Sequence, residues 1–298
     1  MPILFIYNPS AGRKKSKDKQ IRAICQALNL DYVWHDLSTG AFTVYNPDDW
    51  QRIFVAGGDG TIKEVAAWLI AKKSQTPIAL IPIGSANILA SALAVPADFN
   101  KAIKLGLTDQ IYKIDAGLIN NREYFLIAAG CGFDAKVIKN TPRKLKKAWG
   151  WLAYIFSIMY SFFSSQANKY FIKIDEESYT VTAQSIFISN FAKFFNLNLN
   201  PASKINDGYL SIGILKTLNI RDLGIIVFRL LKGYYLKDWR YEFHKAKQIY
   251  VLPFNRKVPK QIDGDSIELA YLDIKILPQA LNIIANKLPW IAELSWWA

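Results

Sequence analysis

From Ile3 to Tyr7 every residue is apolar, and the run stops abruptly at Asn8-Pro9-Ser10-Ala11-Gly12. A short unbroken apolar run closed by turn residues predicts a strand buried on both faces. A basic stretch from about Lys17 to Leu28 then takes up helical spacing. The pair recurs: strands are predicted at Tyr32 to His35, Ile53 to Ala56 and Ile78 to Ile81. Helices are predicted at Ile62 to Lys73, with Val65, Ala66 and Leu69 on one face, and at Ile88 to Leu93. Strands alternating with helices predict a parallel sheet covered on both faces, whose ligands bind beyond the carboxyl ends of the strands.

After Asp115 the period changes. Strand-like runs fall at Tyr124 to Ala128, Tyr170 to Ile174, Thr180 to Ile188, Tyr209 to Leu215, Ile249 to Leu252 and Ile267 to Ile276. Turn signals stand at Asn120-Asn121, Asp207-Gly208 and Asp263-Gly264. Two helices interrupt them, Pro142 to Phe163 and Asn219 to Lys237, the second capped by Asn219. The expected fold class is therefore α/β: a parallel-sheet α/β domain over residues 1–115, then a β-rich domain over 116–276. No low-complexity linker separates the two.

The 298 residues suffice for two cores. Lys and Arg number 37 against 24 Asp and Glu, a net charge of +13 that favours an anionic partner. The cations do not interleave with aromatics as a single-strand platform requires, so nucleic acid is not expected. Cys25, Cys131, His35 and His244 are too scattered for a zinc site or a disulfide framework. The opening run is too short for a signal peptide and lacks a basic start, so a cytoplasmic setting is expected.

Candidate chemistry gathers at the predicted strand ends. Gly57-Gly58-Asp59-Gly60-Thr61 lies between a strand and a helix, where glycines admit close backbone approach and the helix N-terminus faces an anion. Asp59 would repel a phosphate unless a divalent cation intervenes, which points to Mg2+-nucleotide chemistry. The loop lacks the Lys-Ser/Thr of a Walker motif. An ordinary strand-to-helix turn explains such glycines too, but Asn8, Ser10, Gly12, Gly84 and Asn87 fall at neighbouring strand ends, and that convergence favours a nucleotide site.

Taken in order, these motifs resemble the diacylglycerol kinase-like lipid kinases, which include bacterial diacylglycerol kinases and the sphingoid and ceramide kinases. The likeness extends over nearly the whole chain, through Gly130-Cys131-Gly132-Phe133-Asp134, Thr141 to Tyr154, Asp207-Gly208-Tyr209-Leu210 and Asp263-Gly264-Asp265. The resemblance implies that the first domain is a Rossmann-like nucleotide-binding domain and the second a C-terminal β-sandwich that accepts lipid, with the chain from about Leu277 (277–298) returning to the first domain. It implies ATP and Mg2+ as cofactors. Asn8, Ser10, Gly12, Gly57, Gly58, Gly60, Thr61, Gly84 and Asn87 would hold nucleotide, Asp59 and Asp115 would stand near the metal, and Asp263 would be the general base. Asp207, with carbonyls of Lys204 and Tyr209, would hold a second, structural Mg2+. A solvated turn competes as the reading of Asp115, and a plain Asp-Gly hairpin as that of Asp207.

Two positions depart from the pattern. Ile88 stands where many relatives carry a second carboxylate, and Asp265 shortens the reach of a Glu. Thr39 and Gly40 are weak candidates for the second nucleotide motif.

Lys136, Lys139, Arg143, Lys144, Lys146 and Lys147 form a basic cluster, and residues 148–163 that follow carry no charge. This junction fits peripheral contact with an anionic membrane, at roughly 1 kcal/mol per cation, with Trp149, Trp151 and Tyr154 at headgroup level. A buried core helix is the rival, and the apolar part is short for a span. The Trp-rich end, Leu288 to Ala298, is read as a docking segment, with membrane contact as the alternative. The expected activity is ATP-dependent phosphorylation of a hydroxyl on a diacylglycerol-like or sphingoid-like lipid. An NAD kinase and a catalytically silent lipid-binding protein are the alternatives, and homodimerisation stays open.

Overall fold

The computed structural model describes residues 2–12, 17–132, 167–191, 193–194, 197–198, 203–216, 221–222, 225, 228–229 and 239–286. The basic cluster at 136–147, the helix expected over 142–163 and the Trp-rich end lie outside these residues. The chain divides into two compact units, Met1–Ile114 joined by the chain from Gln279, and Asp115–Pro278. Among the described residues no helix is long and apolar enough to cross a membrane.

In the first unit β1 (Ile3–Tyr7), α1 (Lys17–Ala27), β2 (Tyr32–Asp36), β3 (Arg52–Gly57), α2 (Asp59–Lys72), β4 (Ile78–Pro82), α3 (Ile88–Ala92) and α4 (Phe99–Gly106) follow in order. The strands form a parallel sheet in the order β2-β1-β3-β4. Burial follows the apolar runs, since β1, β3 and β4 are buried at every position. Aromatic packing ties the strands together, with Phe5 stacked on Phe54 at 4.5 Å between ring centroids and 3° between planes. Arg52 is buried at the start of β3, where its guanidinium donates to the carbonyls of Gly106 and Thr108 and so fastens the end of α4.

The second unit continues through β5 (Ile111–Ile119), β6 (Glu123–Phe125), β7 (Ala128–Cys131), β8 (Asn168–Ile174), β9 (Glu177–Ala183) and β10 (Ser185–Ser189). It is completed by β11 (Lys193–Phe194), β12 (Leu197–Asn198), β13 (Leu210–Leu215), β14 (Tyr241–Ala246), β15 (Gln248–Pro253), β16 (Lys260–Ile262), β17 (Asp265–Ile267) and β18 (Leu272–Ile284). One antiparallel layer runs β9-β8-β15-β18, the other β14-β13-β10-β7-β16-β17. Ile172, Val251 and Ile274 from the first meet Ile186, Ile212 and Ile262 from the second in one core, the packing of a β-sandwich.

Three predicted strands are cut differently. Thr180 to Ile188 reads as one run, but Gln184 separates β9 from β10 and carries the chain from one layer to the other. Ala183, Gln184, Ser185 and Ile186 are buried in succession, which breaks the alternation a single strand would keep. The run from Tyr124 is broken at Leu126 and Ile127, whose amides bond a side chain instead of a strand. The final strand extends past Ile276 through Pro278 and a left-handed Gln279 (φ 49°), and its end pairs in parallel with β4 as Ile283↔Ile78 in the first unit.

Gly106 tests the packing of the first unit. A Cβ there would overlap the Phe54 ring and Ala79. Gly106→Ala is expected to destabilise the protein by about 1–3 kcal/mol, as overpacking does, read as a lowered urea midpoint with an unchanged m-value.

Candidate active site

Three loops meet at the carboxyl ends of β1, β3 and β4. Asn8 begins the first: its backbone N–H donates to Ala56 O (2.9 Å), its Oδ1 accepts from Ser10 N (2.9 Å), and its Nδ2 donates to Thr61 Oγ1 (2.8 Å) in the first turn of α2. The second and third loops pack backbone on backbone. Ile83 N donates to Gly57 O (3.1 Å), and a Cβ on Gly84 would lie 2.5 Å from Gly58 Cα and 2.6 Å from Asn87 Oδ1. Lys17, at the start of α1, donates from Nζ to Ile83 O (2.6 Å) and closes the ring from the other side.

The glycines serve different purposes. Gly12 has a left-handed backbone (φ 76°), whereas Gly57, Gly58 and Gly60 do not, so backbone conformation does not call for glycine at those three. Gly57 is required by Thr61, whose Cβ would stand 2.5 Å from an added methyl. Gly60 lies inside α2 with nothing within 4 Å of an added Cβ. Among the described residues no atom accounts for its lack of a side chain, and this open space at a helix N-terminus fits an approaching anion.

Asp59 opens α2 but serves another helix. Its Oδ2 accepts from Ile88 N and its Oδ1 from Leu89 N, both at 3.1 Å, at the start of α3. Burial raises its pKa above the ordinary value, opposed by the amides of Leu89, Ile88, Asp59 itself and Asn87. Asn87 precedes α3 in the left-handed region (φ 48°), with Nδ2 donating to Gly84 O (3.1 Å) and a buried Oδ1 that has no hydrogen-bond partner. The ring thus offers backbone amides, cradling glycines and an unused acceptor, a set that fits a nucleotide. Each carboxylate oxygen has room for two bonds, so amide capping of Asp59 is compatible with a metal contact as well. Thr39 and Gly40 lie beyond β2, where Thr39 Oγ1 donates to Asp36 O (2.8 Å) and His35 Nε2 lies 3.0 Å from Gly40 O.

In the second unit Asp263 sits in the turn between β16 and β17 with φ 49°. Its carboxylate accepts three backbone amides, Leu126 N on Oδ2 (3.0 Å) and Ile127 N (3.0 Å) and Ala128 N (2.9 Å) on Oδ1, while its own N–H donates to Ala128 O (2.8 Å). Asp265 is exposed at the start of β17.

Asp115 is fully buried, which excludes the solvated turn considered for it. Its Oδ2 accepts from Gly208 N (2.7 Å), so it braces the loop that carries Asp207. Asp207 is held by Lys204 N (3.0 Å) on Oδ2 and Tyr209 N (3.1 Å) on Oδ1, and Lys245 Nζ stands 2.6 Å from Oδ2. Lys204, Asp207 and Tyr209 do come together, but through amide nitrogens, and the cation facing the carboxylate is Lys245. In this arrangement the loop does not fit a divalent ion, and the metal assignment there is carried no further. It is not a two-residue hairpin either, since β13 pairs with β10 and β14. Lys17 and Lys245 were missed in the sequence, where each is one lysine among many.

Gly60 yields the test of the cradle. Gly60→Ala is expected to leave the urea midpoint unchanged or slightly raised, because Ala is the better helix residue. Equilibrium titration should show ATP affinity falling by at least about tenfold, as a methyl group blocks the approach of phosphate.

The comparisons with known proteins agree with this geometry. The diacylglycerol kinase catalytic domain family matches residues 2–119. The YegS C-terminal NAD kinase beta sandwich-like domain matches residues 127–285. A diacylglycerol kinase of Staphylococcus aureus (strain MRSA252) is 28% identical over 269 residues, 87% of this chain and 84% of that protein. A diacylglycerol kinase of Staphylococcus haemolyticus is 29% identical over 269 residues, 87% of this chain and 81% of its own length. The crystal structure of a diacylglycerol kinase from Bacillus anthracis shares the fold with a TM-score of 0.70 and 22% identity, covering 96% of this chain and 97% of that one. With both domains matched in order, and the second match alone spanning more than half of the residues, the chain belongs to the diacylglycerol kinase-like lipid kinases.

Proposed function

We propose that this lipid kinase transfers the γ-phosphoryl group of ATP, with Mg2+, to a hydroxyl of a diacylglycerol-like or sphingoid-like lipid at the cytoplasmic face of an anionic membrane. The observation that carries the nucleotide half is the space at Gly60, within a ring of amides and glycines at three strand ends. When bound, Mg2+-ATP supplies the phosphoryl group and its charge neutralisation. Asn8, Ser10 and Thr61 fix the first loop against the second, Gly12, Gly57, Gly58 and Gly84 let backbone approach the phosphates, and Asn87 offers its unpaired oxygen. Asp59 keeps α3 in place and would hold the metal.

Asp263 takes the proton of the attacking hydroxyl. Hydrogen bonds to an ionised carboxylate favour that form and lessen its basicity. Three amides therefore cost Asp263 some driving force, and in return fix the direction of its oxygens, the first requirement of a general base. Asp263→Asn is expected to lower kcat by about 10²–10⁴ with the KM for ATP little changed. A variant whose sole defect is weaker ATP binding would move Asp263 out of the chemistry.

An NAD kinase remains the second reading, favoured by the matched description of the β-sandwich. Labelled ATP offered with diacylglycerols, ceramide, sphingoid bases, phosphatidylglycerol and NAD separates the readings: transfer to NAD alone overturns the lipid reading, and transfer to nothing favours a silent lipid-binding protein.

The membrane contact is proposed for Lys136, Lys139, Arg143, Lys144, Lys146 and Lys147, supported by their sequence pattern and the net charge of +13. Changing Lys144, Lys146 and Lys147 together to Gln should weaken binding to anionic vesicles by at most about 3 kcal/mol. The parent's binding should fall steeply up to physiological salt, where screening acts beyond about 8 Å. Cosedimentation reads both effects, and activity on a short-chain soluble acceptor should persist.

A further inference from the structure

The strip Leu126–Ala128 is bonded along both edges. On one edge its three amides converge on the Asp263 carboxylate. On the other, two of its carbonyls meet a single residue: Asn190 N donates to Ile127 O (3.1 Å) and Asn190 Nδ2 to Leu126 O (3.3 Å). The same Nδ2 donates to Asp115 O (2.6 Å). Asn190 follows β10 directly and is fully buried.

The orientation of this amide is fixed by chemistry. Two carbonyl oxygens face the NH2 group, and a flipped side chain would set a third oxygen against them. In the orientation that remains, Oδ1 is buried without a partner among the described residues. An orphaned buried acceptor is as unfavourable as a lost hydrogen bond, so the residue is a poor choice for stability alone. Its place is explained by what it joins, the strip that aims Asp263 and the backbone of Asp115, whose carboxylate braces Gly208.

We propose that Asn190 is a positioning residue for phosphoryl transfer: by holding the carbonyls of Leu126 and Ile127 it keeps their amides directed at Asp263. The inference rests on Asp263 as the base. Removing the Asn190 side-chain amide frees Leu126 O and the Asp115 carbonyl, while the backbone N–H of residue 190 still holds Ile127 O, so the strip is loosened at its Leu126 end and the carboxylate is held by donors that wander.

The test compares Asn190→Ala and Asn190→Ser in the full chain, the serine keeping one hydroxyl donor. Three readouts are taken: amide exchange at residues 126–128, kcat and KM for ATP with the best lipid acceptor, and the double variant with Asp263→Asn. Expected are a loss of protection of about tenfold or more at 126–128 with β13 amides unchanged. In Asn190→Ala kcat should drop by about 10–100-fold at a KM for ATP within about threefold, and Asn190→Ser should fall between it and the parent. On the Asp263→Asn background Asn190→Ala should change kcat by less than about threefold, because the two act in one chain of contacts. Unchanged protection at 126–128, fully multiplicative effects in the double variant, or failure of both single variants to fold would each overturn the proposal. If the parent phosphorylates no lipid, the functional reading fails instead, while the exchange measurement still decides whether Asn190 holds the strip.

Discussion

A carboxylate drawn out of bulk water needs donors aimed at it, and in each unit of this protein the donors are backbone amides of a loop close in space and distant in sequence. Asp59 takes Ile88 N and Leu89 N, and Asp263 takes the amides of Leu126, Ile127 and Ala128. Burying a charge without such partners costs several kcal/mol, so each acid dictates where its loop lies. The loop after β4 is thereby locked to the loop after β3, and the end of β6 to the β16-β17 turn. In each unit the acid also shapes the backbone around it.

That dual role explains what was legible in the sequence. The parallel sheet could be read because β1, β3 and β4 are buried on both faces and leave uninterrupted apolar runs. The strand ends could be read because their Asn, Gly and Ser residues break those runs. The sequence could not show that Asp59 caps α3 instead of its own helix, since that pairing joins positions set far apart by the intervening β4. Nor could it show the interruption at Leu126 and Ile127, apolar residues inside an apolar run whose amides are claimed by Asp263. The Gln184 crossing is hidden for a similar reason: one residue suffices to change layers, and its neighbours keep strand-like composition.

Charge was the least legible property. The family resemblance made Asp207 a metal ligand together with the carbonyls of Lys204 and Tyr209, yet its counter-charge is Lys245 from β14. A lysine two strands away supplies the cation, and nothing local to Asp207 announces it. Asp115 ends buried beneath the same loop, so these two acids belong to one local network of the second unit.

The final strand imposes an order on synthesis. The sheet of the first unit is written early in the chain, but the partner of β4 arrives about 200 residues later, when Ile283 pairs with Ile78. Until then the edge of β4 offers unsatisfied N–H and C=O groups to any passing strand. On the ribosome the first unit must therefore wait, with an open and wholly apolar edge, for the second to be made. That interval makes the edge of β4 the place where a nascent chain of this fold is most exposed to wrong pairing.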